Sequence, residues 1–259
     1  MPATPKAADV MRELEAASTP ARAAGAARFF KTGAGEYGEG DLFLGVTVPA
    51  ARSIARKYRD LPAAEVLRLL KHPAHEARLT ALIILVEKSK RSDSQTQREI
   101  LDLYLAHTCY INNWDLVDVS ARDIFAPHIR RNRAVLTRLA RSSSLWERRI
   151  AIIATMALLR EREVNESFRI AEILLEDTHD LIHKALGWTL REAGRIDRPA
   201  LLHFLETHYT RLPRTTLRYA IEHFPTAMRK QLLGGQFQSA SSAASTSAGS
   251  GRTRKSANP

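Results

Sequence analysis

The sequence predicts an all-α protein, a superhelix of about six stacked helix pairs, from three observations. Apolar residues recur at helical spacing from Val48 to about Leu233, for example at Leu79, Leu82 and Val86. No segment shows the alternation of a β-strand. A helical phrase also returns at a nearly constant interval, which is typical of solenoids whose repeats stack on one another.

The recurring phrase occurs five times. Its copies are H-P-A-H-E-A-R-L-T-A-L (His72–Leu82), I-N-N-W-D-L-V-D (Ile111–Asp118), L-W-E-R-R-I-A-I (Leu145–Ile152), L-I-H-K-A-L-G-W (Leu181–Trp188) and P-R-T-T-L-R-Y-A-I (Pro213–Ile221). Aligned on Arg78, Trp114, Arg149 and Ala185, they stand 36, 35 and 36 positions apart. Because equivalent helices of a solenoid line one concave face, we expect their conspicuous side chains to lie close together there. These are Trp114, Asp118, Arg149 and Trp188.

The elements follow in order along the chain. An Ala-rich segment begins a first helix near Ala7, and a second helix is predicted for Ala21 to Lys31. Residues 31–41 hold four glycines without a phosphate-binding signature, and predict either an ordered loop whose backbone passes close to something or a plain connector. Pro49, Pro62, Pro73, Pro127, Pro199 and Pro213 are predicted in first turns of helices or in links. We predict one repeat domain over residues 1–233 and a disordered basic tail, rich in Ser, Ala and Gly, over 234–259.

The composition indicates a polyanionic partner. The chain has 39 Lys and Arg against 28 Asp and Glu, a net charge of +11; the last 25 residues hold three of the basic residues and no acidic one, so +8 remains on the rest. Such an excess suits nucleic acid or a membrane surface, although many arginines only solvate a surface. No apolar run is long enough for a membrane span and no signal peptide is present, so we expect a soluble, cytoplasmic protein without a membrane partner. The single Cys109 excludes an internal disulfide and is predicted to be buried.

Trp114 and Asp118 stand four residues apart, so they share a helix face. A purely structural interpretation has Asn112 or Asn113 capping the helix and Trp114 packing between repeats. That interpretation does not explain Asp118, which lies a turn further into the helix. Asp118 is therefore a candidate functional carboxylate.

Arg148 and Arg149 are adjacent in an apolar helix, so their side chains point about 100° apart. One of them can project onto the concave face while the other stays at its edge. Arg149 either reaches a DNA phosphate or orients Asp118. Trp188 follows Gly187, which costs helix stability unless a neighbour or a ligand approaches closely. A carboxylate flanked by two indoles would suit a positive charge.

Basic residues recur in nearly every repeat, and a concave face with a basic rim fits the phosphate backbone of a duplex. The candidate DNA-binding residues are Arg148, Arg149, Lys184, Arg191, Arg214 and Arg218. The nine histidines show no metal-binding spacing, so we predict no metal and no cofactor.

Five phrases in order resemble the AlkD-like DNA alkylation repair family, bacterial DNA glycosylases built from HEAT-like repeats. They are F-F-K-T-G-A-G-E-Y-G-E-G-D-L-F-L-G-V, N-N-W-D-L-V-D, L-W-E-R-R-I-A-I, D-L-I-H-K-A-L-G-W-T-L-R-E and P-R-T-T-L-R-Y-A-I-E. The resemblance runs from about Arg28 to Leu233. It implies a HEAT-like superhelix with a concave basic groove for duplex DNA, and removal of purines alkylated at ring nitrogen, chiefly of the 7-methylguanine and 3-methyladenine types.

The resemblance also implies a catalytic set, which falls here on Asp118, Trp114, Trp188 and Arg149. Two positions depart from some members: Asn113 stands where they have a second tryptophan, and Phe29 where they have a tyrosine. We expect a monomer that acts in the cytoplasm and is associated with the nucleoid when bound to DNA. The alternatives are a non-catalytic binder of damaged or branched DNA and, less in keeping with the basic charge, a protein-binding scaffold.

Overall fold

The computed structural model describes residues 4–237, and within this range the protein is helical, as the sequence predicts. In chain order the α-helices are α1 (Ala7–Ala16), α2 (Pro20–Phe29), α3 (Val48–Lys57), α4 (Ala63–Leu70), α5 (His75–Arg91), α6 (Ser94–Ala106), α7 (Trp114–Ile129), α8 (Ala134–Ala140), α9 (Leu145–Leu159), α10 (Asn165–Ile173), α11 (Asp180–Ile196), α12 (Arg198–Thr207), α13 (Arg214–Ala220) and α14 (Thr226–Leu233). A short 3-10 helix, Thr108–Tyr110, precedes α7. Extended pairing in the described chain amounts to one isolated bridge between Leu42 and Ala74.

The helices form two layers of a solenoid. An inner layer runs α3, α5, α7, α9, α11, α13, each helix packing on the next, and the outer helices α4, α6, α8, α10 and α12 pack against it. The sequence predicts about six helix pairs, and the described chain has five pairs of an outer and an inner helix, α4/α5 to α12/α13. At the amino-terminal end, α1 packs on α3. The core continues through the middle of the inner layer, where α9 is buried without a gap from Arg149 to Leu159.

Local chemistry sets where the helices begin. The side chains of Asp93, Ser144 and Asp197 accept backbone N–H groups in the first turns of α6, α9 and α12. Five of the six prolines lie where the sequence predicts, in first turns or in links. The prediction for Pro127 was wrong, because it lies inside the last turn of α7. A proline there removes a single late helical hydrogen bond, which the helix end tolerates.

Three other expectations need correction or lie beyond the described chain. The second helix ends at Phe29 rather than Lys31, because Lys31 adopts a left-handed conformation with φ of 54°. Cys109 is exposed in the 3-10 helix and not buried. The predicted tail lies outside the described residues from position 238, and before that point the ring of Phe237 packs edge-on against Tyr209 at 5.6 Å.

Gly187 lies where α11 and α13 touch. A Cβ built on Gly187 would be 2.4 Å from the Cβ of Tyr219 and 2.7 Å from the carbonyl oxygen of Thr216. These distances are shorter than any carbon contact allows, and both opposing atoms are fixed to the α13 backbone. The missing side chain therefore permits the close approach of a neighbouring helix, one of the two possibilities that the sequence left open.

We expect Gly187→Ala to lower the free energy of unfolding by about 1–3 kcal/mol, because the added methyl forces α13 away from α11. Urea denaturation measures the effect. Gly25→Ala is the matched control, since Gly25 is also helical but a Cβ there meets nothing within 4 Å. Alanine at position 25 should stabilise the protein by up to about 1 kcal/mol. Equal effects of both substitutions would contradict this account of Gly187.

Candidate active site

A cavity of about 670 Å³ opens between the inner helices α7, α9 and α11 and the glycine-rich segment Lys31–Asp41, here called the glycine loop. Its lining residues are Phe29, Lys31, Tyr37, Trp114, Asp118, Arg149, His179, Asp180, Leu181, Lys184, Trp188, Arg191 and Tyr219. The four residues that the sequence analysis singled out, far apart in the chain, thus share one cavity. Its lining is aromatic on several sides and carries both signs of charge.

Asp118 is held in place by Arg149. The Nε of Arg149 donates to one carboxylate oxygen of Asp118 at 3.0 Å, and one terminal nitrogen donates to the other at 2.8 Å. The remaining terminal nitrogen donates to the carbonyl oxygen of Leu181 at 2.5 Å. Arg149 is only 5% exposed, whereas the side chain of Asp118 keeps 17% of its surface accessible. Of the two roles considered for Arg149, the geometry favours orientation of Asp118, and no exposed guanidinium edge remains for a phosphate.

Arg149 pairs with Asp118, which lies one helical turn after Trp114, the residue that the alignment of the repeats matched to Arg149. Asp118 and Arg149 each stand four residues after the first residue of their helix, Trp114 in α7 and Leu145 in α9. Asp118 is therefore the positional equivalent of Arg149, although the 35-residue alignment matched Trp114 to it. The starts of α7 and α9 are 31 residues apart, so this repeat is a turn shorter than the mean period.

Burial raises the pKa of Asp118 above its ordinary value. The charge and hydrogen bonds of Arg149 act in the opposite direction, and the nearby negative charge of Asp115 adds to the rise. Arg149 is therefore the group that favours the ionised form of this buried carboxylate.

Trp114 and Trp188 both line the cavity, but different parts of the structure hold them in place. Trp114 is the first residue of α7, and its ring stacks on Phe30 at 5.3 Å and meets Phe29 edge-on at 5.9 Å. Trp188 lies in the middle of α11. Trp114 thus rests on aromatic side chains at the entrance to the glycine loop, and Trp188 on the solenoid itself.

A buried polar cluster joins the glycine loop to α5 and α7. The two ring nitrogens of His75 bond to Asp41 at 3.0 Å and to Asp115 at 2.8 Å. Asp41 also pairs with Arg78 and accepts from the side-chain amide of Asn113 at 3.2 Å. We call these five residues the anchor cluster.

A clamp formed by Glu76 holds the segment that follows the glycine loop. The carboxylate of Glu76 accepts the backbone N–H groups of Leu44, Gly45 and Val46 at 2.8–3.1 Å. Sequence reasoning missed both the anchor cluster and this clamp. The available signal was the phrase H-E-A-R at the start of α5, which places three polar side chains directly before the largely apolar run Leu79–Val86.

The anchor cluster sets the protonation of His75. Burial alone would lower its pKa, but the hydrogen bonds and charges of Asp115 and Asp41 outweigh burial and raise the pKa to about 9. His75 is therefore a cation at neutral pH and donates to both carboxylates. Burial likewise works against ionisation of Asp41, yet His75 and Arg78 lower the pKa of that carboxyl.

Comparison with known proteins agrees with this architecture. The family model of the DNA alkylation repair enzymes matches residues 10–224. The chain belongs to the DNA alkylation repair enzyme family. A solved structure described as a predicted DNA alkylation repair enzyme from Enterococcus faecalis is similar in fold, with a TM-score of 0.62 at 15% identity, over 81% of this chain and 97% of that one. No curated protein matches this chain.

The structure shows the surroundings of Asn113 and Phe29, the two positions at which this chain differs from some members of the family. Asn113 is fully buried, accepts the backbone N–H of Trp114 as the helix cap and donates to Asp41. A tryptophan in its position would have to leave this space. Phe29 is 65% exposed at the cavity wall beside Trp114 and offers no hydroxyl to a ligand.

Of the candidate DNA-binding residues, the structure brings Arg149, Lys184 and Arg191 to the cavity. Lys184 pairs with Asp180 at 2.8 Å, and Arg191 pairs with Glu222. The others lie away from the cavity: Arg148 bonds to Asp177, Ser142 and Ser143, Arg214 bonds to the carbonyl of Leu233, and Arg218 is exposed on α13. Arg148 is thus committed to internal contacts, which leaves it poorly placed for a phosphate.

Residues 4–237 hold neither a cluster of side chains suited to a metal ion nor a helix suited to a membrane. No three His, Cys, Asp or Glu side chains in this range are grouped as a metal ion would require. None of its helices is long and apolar enough to cross a membrane.

The pKa of His75 predicts a pH dependence of stability. Because its folded-state pKa of about 9 exceeds the ordinary value of 6.5, the stabilisation is complete below pH 6.5 and is lost as the pH rises through 9. The free energy of unfolding should fall by on the order of 3 kcal/mol across this window. Urea denaturation at several pH values should show this fall in the native protein and its disappearance in His75→Gln. The exposed His223→Gln is the control and should keep the native dependence.

Proposed function

We propose that this protein is a DNA N-glycosylase that releases purines alkylated on a ring nitrogen, of the 7-methylguanine and 3-methyladenine types, from duplex DNA. The observation that carries the proposal is a largely buried carboxylate, Asp118, which Arg149 orients in a cavity that Trp114 and Trp188 also line. It acts as a monomer without a cofactor, in the repair of alkylation damage.

The chemistry of such a substrate fits a site with one carboxylate. An N-alkylated purine already carries a positive charge, so the bond from the sugar C1′ to the base breaks with its electron pair neutralising the base. No general acid is needed. Positive charge develops at C1′, and a fixed carboxylate nearby stabilises it. Water then adds its oxygen to C1′ and loses a proton to Asp118 or to solvent.

The remaining lining residues support the same substrate. Indole faces attract cations, and most strongly where water is excluded, so Trp114 and Trp188 favour an alkylated base or the sugar cation over neutral nucleotides. Enzymes that read a flipped base do so through hydrogen bonds inside a snug pocket. This cavity is wide and its charged groups are mostly paired with one another, which favours contact with the backbone and sugar of the lesion.

Asp118→Asn should reduce base release from duplex DNA carrying 7-methylguanine by at least about 10²–10³-fold while DNA binding persists. Single-turnover release and equilibrium binding are measured side by side. Asp180→Asn is the matched control, because it removes the same charge from the same cavity and should leave release within a few-fold of native. If the native protein binds DNA in a salt-sensitive way but releases no base, the alternative of a non-catalytic binder of damaged or branched DNA replaces this proposal.

The rate of release should fall as the pH drops through the raised pKa of Asp118, because only the ionised carboxylate stabilises the sugar cation. Arg149→Met removes the group that opposes this rise. The acid limb of the pH–rate profile, corrected for uncatalysed depurination, should therefore move to higher pH in the variant. An acid limb that stays in place or moves to lower pH would show that Asp118 is not the titrating group.

A further inference from the structure

The cations of the cavity are paired with acids, with one exception. Arg149 is bonded to Asp118, Lys184 to Asp180, and Arg191 to Glu222 and Glu192. Within residues 4–237, the ammonium of the fourth cation, Lys31, has neither a carboxylate within ion-pair distance nor a hydrogen-bond acceptor. Lys31 is exposed at the cavity wall, so its charge is available to an incoming anion.

The backbone holds Lys31 in an unusual conformation. Its φ of 54° is in the left-handed region, which non-glycine residues rarely adopt and which is often found at functional sites. Its carbonyl oxygen accepts the N–H of Gly38 at 3.1 Å, which closes the loop on itself. A Cβ at Gly38 would lie 2.3 Å from the carbonyl oxygen of Phe30, so only glycine permits this closure.

The rest of the glycine loop is also constrained. Glu36 and Glu39 accept the backbone N–H groups of Gly33 and Gly35 at 3.0 and 2.8 Å. Asp41 at its far end belongs to the anchor cluster, which also includes Asn113, the residue before Trp114. The loop that carries Lys31 is therefore fixed to the same helix that carries Trp114 and Asp118.

We propose that Lys31 binds the DNA phosphodiester next to the lesion nucleotide, and so makes the glycine loop part of the substrate site. This inference rests on the proposed function, since it needs DNA in the cavity. A nucleotide with an N-alkylated purine carries a positive base and a negative phosphate. The cavity offers the complement: the carboxylate of Asp118 and two indoles for the cation, and one ammonium without an acidic partner for the anion. Lys31 would also repel the cationic base, so it favours one orientation of the nucleotide.

The test measures whether Lys31 and one particular phosphate of the DNA depend on each other in binding. The duplex carries an uncleavable tetrahydrofuran abasic analogue, and single linkages around it are replaced by uncharged methylphosphonates. Lys31→Met should weaken binding to the unmodified duplex by about tenfold and lower the slope of log affinity against log salt by about 1. One methylphosphonate should weaken native binding to the same extent, and at that linkage Lys31→Met should cost nothing further.

Three variants separate the charge of Lys31 from its backbone strain and from the general basicity of the surface. Lys31→Arg keeps the charge and should restore most of the affinity, whereas Lys31→Gly relieves the backbone and should behave as Lys31→Met. Lys71→Met removes an exposed lysine that does not line the cavity, and this variant should bind as the native protein does. An equal penalty of Lys31→Met at every methylphosphonate linkage would overturn the proposal. So would a covalent adduct of Lys31 with a natural abasic site after borohydride reduction, which would make the amine a nucleophile instead.

The readout separates this inference from the glycosylase proposal. Binding to the abasic analogue needs no base release, so coupling of Lys31 to one linkage stands even if the native protein releases no purine. Conversely, normal release of 7-methylguanine without such coupling would reject Lys31 as the phosphate ligand and leave the glycosylase proposal intact.

Discussion

The protonated state of His75, bonded between the buried carboxylate of Asp41 and the partly buried one of Asp115, fixes the geometry on which the site depends. Asp41 and Asp115 supply two carboxylates and His75 and Arg78 two cations, so the anchor cluster balances its charges. Removing one member would leave a buried charge without compensation, which is more costly than the net contribution of the intact group. Through these bonds the glycine loop, the start of α5 and the start of α7 keep one relative position.

Arg149 acts in the same way one repeat later. Its guanidinium joins α7 through Asp118, α9 through its own backbone and α11 through the carbonyl of Leu181. The five N–H donors of arginine lie in one rigid fork, and this explains why a single side chain can orient a carboxylate and bridge two further helices. The orientation of Asp118 and the packing of the inner layer therefore depend on the same residue.

Most of the candidate functional side chains lie near the first turns of the inner helices, and Trp188, in the middle of α11, is the exception. Trp114 and Asp118 lie near the start of α7, Arg149 near the start of α9 and Lys184 near the start of α11. A solenoid favours such an arrangement, because stacking brings equivalent turns of successive repeats side by side. The glycine loop adds a wall that the repeats do not supply, with Lys31 and Tyr37 lining the cavity.

The sequence by itself determined the helices, their approximate limits and the placement of Trp114, Asp118, Arg149 and Trp188 on one face. These follow from local physics: apolar period, capping side chains and proline positions act within a few residues. Tertiary structure decided which residues meet. The alignment matched Trp114 to Arg149, yet Arg149 bonds to Asp118, because one repeat is a turn shorter than the mean and no local pattern reports how linkers offset neighbouring helices.

The anchor cluster shows the same limit, since its hydrogen bonds join residues 34 to 72 positions apart in the chain. Pro127 is tolerated because it lies in the last turn of α7. Lys31 is held at the cavity wall by the loop that closes when the N–H of Gly38 donates to its carbonyl oxygen. Contacts of this kind depend on the folded arrangement of distant segments, and only that arrangement reveals them.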